Sequence, residues 1–295
     1  MQGRIVKGIA GFYYVYAEDG HLYECKAKGI FRNQKIKPLV GDRVELEGLE
    51  REACTATISA ILPRTNSLVR PAVANVDQVL VLFAVKDPEP NLNLLDRFLI
   101  MMEQQEVPVK ICFTKTDLSD EKTCKKLGEI YKSAGYTVHF ISVYEKEGIS
   151  EVYQELTGRT TVLAGPSGVG KSSFLNEIKP DAGMETGEIS AKIRRGKHTT
   201  RHSEFFSLDP DTFLLDTPGF SSIYLTGISE LELKDYFEEF TPFESQCRFI
   251  GCVHIGERDC GVKDGCKEGR IALSRYENYR LLYEELKSQK KYGNY

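Results

Sequence analysis

The sequence predicts three consecutive units: a small antiparallel β-barrel over residues 1–65, an α/β domain with a mostly parallel sheet over 66–227, and a mainly helical, cysteine-rich unit over 228–295. Three observations carry this reading. Short β-branched and aromatic stretches punctuated by glycine fill the first unit, near-continuous apolar runs alternate with helical patterns in the second, and four zinc-type ligands crowd the third. The 295 residues give ample length for real cores, and 41% hydrophobic with 28% charged residues is an ordinary globular composition. A net charge of −4 argues neither for nor against a nucleic-acid partner.

The first residues lack a basic start followed by an apolar core, and no run of about 18 apolar residues occurs, so a soluble cytoplasmic protein without a membrane partner is expected. In that setting the eight cysteines read as free thiols or metal ligands rather than as a disulfide framework.

In the first unit, Phe12 to Tyr16, Val44 to Leu46 and Thr55 to Ile61 read as strands, with Gly8, Gly11, Gly20, Gly29, Gly41 and Gly48 at turn-like intervals. The commonest nucleic-acid-associated barrel of this kind is the OB-fold. Lys26, Lys28, Arg32, Lys35 and Lys37 surround Phe31 with no acidic residue from 25 to 38, a combination suited to RNA. A solvated basic edge would have the same composition.

In the second unit, Val76 to Val85 is an apolar strand, and Leu92 to Gln105 is a helix with Leu92, Leu95, Phe98, Leu99 and Met102 on one side. Strands recur at Val107 to Phe113, Val138 to Val143 and Thr160 to Ala164, with helical patterns between, which predicts a parallel sheet covered by helices. Beyond about Gly227, a short helix near Leu231 to Phe237 and a long one from Gly269 to Lys290 flank the cysteine-rich loop.

The strongest chemical signal is Gly165-Pro166-Ser167-Gly168-Val169-Gly170-Lys171-Ser172-Ser173, a phosphate-loop pattern directly after a strand. Its glycines let backbone amides curl round phosphates, Lys171 neutralises the outer ones and Ser172 can ligate magnesium. Downstream, the strand Phe213 to Leu215 ends in Asp216-Thr217-Pro218-Gly219, where the carboxylate can act at magnesium and the Gly219 amide can meet a γ-phosphate. Between the two, the polar segment Lys192 to Arg201 has the character of a switch loop. Its magnesium ligand is taken as Thr200, although Thr199 has the same chemistry.

The base-reading motif lies upstream of the phosphate loop. Thr114-Lys115-Thr116-Asp117 closes a strand, and the aspartate can accept two hydrogen bonds from guanine N1 and its exocyclic amine, a donor pair that adenine lacks. Lys115 would lay its alkyl stem across the base, and Ser142 after the next strand would support it. Thr114 stands where asparagine is usual and offers one hydroxyl in place of an amide. The predicted fold is therefore a phosphate-loop GTPase domain with its motifs in circularly permuted order, binding GTP and GDP, a rotation that close-lying domain ends tolerate.

Near the C-terminus, Cys247, Cys252, His254 and Cys260 place three thiolates and one imidazole within fourteen residues, a set for one structural Zn2+ with no open position. Cys266 is close enough in sequence to compete. Cys25, Cys54, Cys112 and Cys124 are scattered and receive no role.

The chain resembles the ribosome small-subunit-dependent GTPase A (RsgA) family over nearly all its length. The resemblance rests on Arg70 to Val79 (RPAVANVDQV), Leu94 to Leu99 (LLDRFL), the phosphate loop, Arg195 to Thr200 (RGKHTT), Asp216 to Phe220 (DTPGF) and the Cys247 to Cys260 cluster. It implies an OB-fold, a permuted GTPase domain and a zinc domain that bind the small ribosomal subunit and its rRNA during late maturation, with hydrolysis stimulated by the subunit. A monomer is expected. Phe220 stands where Ras-like enzymes place the glutamine that orients water, and a phenyl ring cannot do that job. His198 is the polar group that the resemblance puts in its place, unless it packs or touches RNA instead. An RNA-binding assembly factor with a merely structural nucleotide, and a phosphate-loop ATPase or kinase, are the readings from other classes.

Overall fold

The computed structural model describes residues 1–33, 36–69, 71–180, 204–209, 211–217 and 219–292, leaving aside the side chains of 32, 33, 204 and 290–292. These residues form two compact units, Met1–Leu82 with Ile149–Gly219 and Phe83–Gly148 with Phe220–Tyr295.

The first unit begins with a five-stranded barrel of β1 (Gln2–Ile9), β2 (Phe12–Ala17), β3 (Leu22–Ala27), β4 (Arg43–Glu50) and β5 (Thr55–Ile61), with the short α1 (Ile30–Asn33) after β3. The order is β1-β2-β3-β5-β4, and β4 returns to pair with β1, so the sheet closes and presents no free barrel edge. Ala10 and Gly11 both take positive φ (49° and 89°), as a two-residue hairpin between right-twisted strands requires. Alternation along β2 sends Val15 and Ala17 into a core shared with Ile5, Tyr23, Val44 and Ile58, and turns Phe12, Tyr14 and Tyr16 outward.

After the two-stranded β6 (Ser67–Leu68) and β7 (Val73–Ala74), the chain enters β8 (Gln78–Ala84), which starts in the first unit and ends in the second. The second unit continues with α2 (Leu92–Glu103), the parallel pair β9 (Val109–Thr114) and β10 (Thr137–Phe140), and α3 (Glu121–Lys132) between them. Side chains cap both helices. Asn91 accepts from the Leu94 amide at 3.0 Å and Asp120 from the Thr123 amide at 2.8 Å, each meeting a donor that has no intrahelical partner.

The first unit resumes with α4 (Ile149–Leu156), β11 (Thr160–Ala164), α5 (Lys171–Ile178), β12 (Glu204–Ser207) and β13 (Phe213–Asp216). β11 lies parallel between β8 and β13, and β12 runs antiparallel between β13 and β1 of the barrel. Every residue of β8 and β11 is buried, which is why, past Gln78 and the Thr160-Thr161 pair, both read as apolar runs rather than alternating ones.

The C-terminal part of the second unit holds α6 (Thr241–Glu244), α7 (Gly261–Lys267) and α8 (Leu273–Tyr292) around an aromatic core of Phe237, Phe240, Phe243, Tyr276 and Tyr279. Two expectations are corrected here. The helix expected near Leu231 to Phe237 is only a 3-10 turn at Leu233–Tyr236, because Phe237 leaves helical dihedrals (φ −119°, ψ 74°) and stacks its ring on Phe240. The long helix starts at Leu273 rather than Gly269, because Gly269 (φ 74°) instead ends α7: its amide donates to the Cys266 carbonyl at 3.1 Å and that of Arg270 to Gly265 at 2.9 Å. Among the described residues no helix is long and apolar enough to cross a membrane.

Candidate functional site

β11 and β13 are parallel neighbours in register, Leu163 beside Asp216, so the loops leaving their C-terminal ends emerge at one edge of the sheet. One of these loops is Gly165 to Gly170. Gly165, Gly168 and Gly170 have φ of 150°, 78° and 94°, and a Cβ on Gly165 would stand 2.3 Å from the Leu82 carbonyl oxygen, so only glycine allows this path. Val169 is buried and pins the loop to the core, while Pro166, Ser172 and Ser173 are partly exposed and Ser167 is exposed around it. The first turn of α5 carries no acidic residue to cancel its positive end. Lys171 folds back, donating from Nζ to the Gly165 and Pro166 carbonyls at 2.7 Å each, and so holds a positive charge over the loop.

The other loop is the Asp-x-x-Gly turn. Thr217 Oγ1 donates to the Leu163 carbonyl at 2.8 Å and fastens the turn to the strand that feeds the phosphate loop. Gly219 then lies against that loop: a Cβ there would come within 2.9 Å of the Ser167 amide nitrogen. Gly219 thus lies against the loop that leads into α5, which carries Ser172, and Asp216 stands at the end of the neighbouring strand.

The segment Thr114 to Asp117, expected to read a base, lies in the second unit. Lys115 sits in left-handed conformation (φ 59°) and its ammonium donates to the Asp87 carbonyl. Thr114 is buried with its hydroxyl 3.5 Å from the Phe83 carbonyl oxygen. Asp117 accepts from the Ser142 hydroxyl at 2.6 Å, and the same oxygen of Ser142 accepts from the Glu145 amide at 3.0 Å. Ser142 is therefore fixed on both sides and aims the carboxylate, a side-chain task that the sequence pattern did not reveal. A carboxylate has about four acceptor positions, so the bond from Ser142 leaves room for two donors of a base. An open cavity of about 530 Å³ beside Asp117, lined also by Lys86, Glu89 and Thr123, has the size for such a group.

The ligand atoms of Cys247, Cys252, His254 and Cys260 lie within 4.8 Å of one another. Zinc bonds of about 2.3 Å to sulfur and about 2.0–2.1 Å to nitrogen set tetrahedral S–S edges of about 3.8 Å and S–N edges of about 3.5 Å. The observed separations are 3.9 Å for Cys247 to Cys260, and 3.6 and 3.4 Å from His254 Nδ1 to the sulfurs of Cys247 and Cys260. The four groups fit one zinc ion. His254 Nε2 lies 3.3 Å from Glu244 Oε1, the outer carboxylate that orients such a ligand. Tyr276 and Tyr279 of α8 donate to the His254 and Val253 carbonyls at 2.7 Å each, which ties the ligand loop to the helix. Cys266 stands outside the four-ligand cluster.

On the barrel, Phe31 is corrected as an RNA-stacking residue: it is 6% exposed within the barrel core, because α1 turns its ring inward. The exposed ring is Phe12, with Lys26 Nζ 5.2 Å from its centroid. Lys28 pairs with Glu47 at 2.6 Å and Lys37 is exposed, whereas Lys35 and the side chain of Arg32 lie outside the described residues. The alternation along β2 would have pointed to Phe12, Tyr14 and Tyr16.

Two family models match the chain, one described as the RsgA N-terminal domain over residues 2–55 and one as the RsgA GTPase over 61–226. The chain belongs to the RsgA GTPase family. A relative from Agathobacter rectalis named small ribosomal subunit biogenesis GTPase RsgA is 55% identical over 302 aligned residues, covering 99% of this chain and all of that one. The solved structure of YjeQ from Thermotoga maritima matches with a TM-score of 0.79 at 37% identity, over 97% of this chain and 98% of that one. The structure of YloQ, titled a circularly permuted GTPase, matches with a TM-score of 0.76 at 36% identity, over 98% and 95%. In this chain Thr114 to Asp117 precede the phosphate loop. His198, Thr199 and Thr200 of the RGKHTT segment lie outside the described residues.

Proposed function

We propose that this GTPase binds the small ribosomal subunit in the cytoplasm, as a monomer, and hydrolyses GTP to GDP and phosphate during the subunit's late maturation. The observation that carries this is the whole-chain similarity to relatives bearing that function in their names. Within the reading, residues 1–65 are an RNA-binding barrel facing rRNA, 66–227 the permuted GTPase domain and 228–295 the zinc-bearing domain.

The backbone amides of Ser167 to Ser173, in the path set by Gly165 and Pro166, cradle the phosphates, and Lys171 exchanges its two carbonyl bonds for phosphate oxygens. These carbonyl bonds hold the ammonium in place beforehand, so little is lost in ordering it. Ser172, Asp216 and Thr200 would hold the Mg2+ that travels with the triphosphate and offsets its charge. The Gly219 amide donates to the γ-phosphate. Asp117, aimed by Ser142, reads guanine N1 and its amine while Lys115 covers the ring. His198 positions the attacking water, because Phe220 has no group to do so. Cys247, Cys252, His254 and Cys260 would hold one structural Zn2+. Lys26, Lys28, Lys37, Arg32 and Lys35, with Phe12 in place of Phe31, serve the rRNA.

The test is phosphate release from GTP and from ATP by the purified full chain, with and without small ribosomal subunits. Slow, GTP-selective turnover that rises with subunits is expected; equal use of ATP, or no stimulation, would sink the proposal. His198→Ala should keep nucleotide affinity and lose the stimulated turnover, and unchanged turnover removes His198 from the mechanism.

A further inference from the structure

The stretch Leu94 to Leu99 of α2 belongs to neither the phosphate loop nor the base motif, yet its side chains reach two other parts of the chain: Asp96 and Arg97 meet α8, and Phe98 meets Phe220. Successive helix positions are turned by about 100°, so Asp96, Arg97 and Phe98 point three ways. Phe98 stacks on Phe220, the residue directly after Gly219, with 5.0 Å between ring centroids and 7° between planes. Asp96 is fully buried and accepts from Arg275 Nη1 at 2.7 Å and Asn278 Nδ2 at 2.6 Å, both on α8. Arg97 engages both groups at once. Its Nη1 donates to the Ile223 carbonyl at 3.3 Å and to Glu285 Oε1 of α8 at 2.8 Å, its Nη2 also meets Glu285, and its Nε is steadied by Asn93 Oδ1 at 2.8 Å. At the C-cap of α2, Gln104 Nε2 donates to the Thr226 carbonyl at 3.1 Å. The segment Phe220 to Thr226 is thus laid along α2, and α8 is clamped to the same helix.

We infer that Arg97 is a positioning residue that couples the segment following the Asp-x-x-Gly turn to α8, so that the state of the γ-phosphate contact at Gly219 is read out in the zinc-bearing region. The inference rests on the GTP reading above. Its physical basis is the guanidinium fork, whose several fixed, coplanar donors hold a carboxylate bidentately and a backbone carbonyl together; an ammonium is a compact point charge without that fork and cannot reproduce the paired geometry. Phe220 serves in this scheme as an anchor rather than as a failed water-positioning group, its ring being held by Phe98 and tilted against Phe83.

The test is hydrogen exchange of the zinc-loaded full chain, with GDP or with a non-hydrolysable GTP analogue, read on peptides from residues 273–292. A ratio of exchange rates between the two states of about fivefold or more is expected in the wild type, the lower end of ordinary coupling between sites. Arg97→Lys, which keeps the charge opposite Glu285, should bring that ratio toward one while melting temperature and nucleotide affinity stay near the wild type. Glu285→Gln, which leaves the Ile223 bond intact, should reduce it too. A wild-type ratio retained in both variants overturns the inference, as does a wild-type ratio of one. GTP turnover measured on the same samples separates the two levels: turnover without any α8 response sinks the coupling alone, and no turnover sinks the reading beneath it.

Discussion

Replacing Ser142 by alanine removes one hydroxyl and isolates the question of how the base is read. The bond lost is 2.6 Å long and ends on a carboxylate, a class that contributes about 1.5–3 kcal/mol. Asp117 is exposed, so water recovers much of that, and the expected loss is about 1–2 kcal/mol, or about fivefold to thirtyfold in GDP affinity. The loss should depend on the base. Inosine diphosphate lacks the exocyclic amine and offers the carboxylate one donor instead of two, so Ser142→Ala should narrow the preference for GDP over it and leave weak ADP binding unchanged. Calorimetric titration of the three nucleotides measures this. The melting temperature of the nucleotide-free variant controls for the Glu145 amide, which also loses its acceptor. An equal drop for all three nucleotides, or no drop at matched stability, would refute the idea that Ser142 aims the base-reading carboxylate.

Three further outcomes follow from the structure. Stripping zinc with a strong chelator, or Cys260→Ser, should unfold the ligand loop and loosen the aromatic core that Tyr276 and Tyr279 fasten to it, seen as loss of near-ultraviolet dichroism; an unchanged spectrum after verified zinc loss counts against a structural metal. Phe31→Ala should cost the barrel about 3–5 kcal/mol by emptying a core position, whereas Phe12→Ala should leave the melting temperature alone and weaken RNA binding by about 1–3 kcal/mol if a base stacks there; the reverse pattern would restore Phe31 to the surface. Hydrogen bonds from Arg97 hold the Glu285 carboxyl below its ordinary value of 4.5, so the clamp between α2 and α8 contributes fully above that value and is lost as pH falls through the depressed folded-state value. Glu285→Gln should flatten this part of an acid-stability profile, and a profile unchanged by the substitution contradicts it.

Local pattern was enough where an element's environment is uniform. Thr55–Ile61 and Thr160–Ala164 have the limits the pattern predicts, because a barrel strand alternates and a doubly covered strand does not. The phosphate loop and the clustering of Cys247, Cys252, His254 and Cys260 were legible because such chemistry fixes both residue type and spacing. What was not legible depends on the partner a side chain finds far along the chain. Phe31 lies among lysines in sequence yet belongs to the buried core cluster that also holds Val44 and Ile58. Leu233, Phe237, Phe240 and Phe243 are spaced like one face of a helix, but four aromatic and aliphatic groups converging on α8 bend the chain into separate turns. The role of LLDRFL could be noticed as a motif and not understood, since its partners Arg275, Asn278 and Glu285 stand some 180 residues away.

The pairing of β1 with β12 bears on how this chain can be cut. β1 belongs to the closed barrel through β2 and β4, and at Lys7 it also pairs with Glu204 of the sheet that bears the phosphate loop. Beside that pairing, the Arg4 guanidinium lies 5.3 and 4.7 Å from the rings of Phe205 and Phe213 and donates to the Asn75 carbonyl at 2.9 Å. A truncation that removes the barrel therefore does more than delete a binding module. It uncovers an apolar flank of the catalytic sheet and opens β12 as a raw edge, a template for pairing between copies. Barrel-less fragments should be prone to clump unless β1 is retained or that edge is mutated to carry charge.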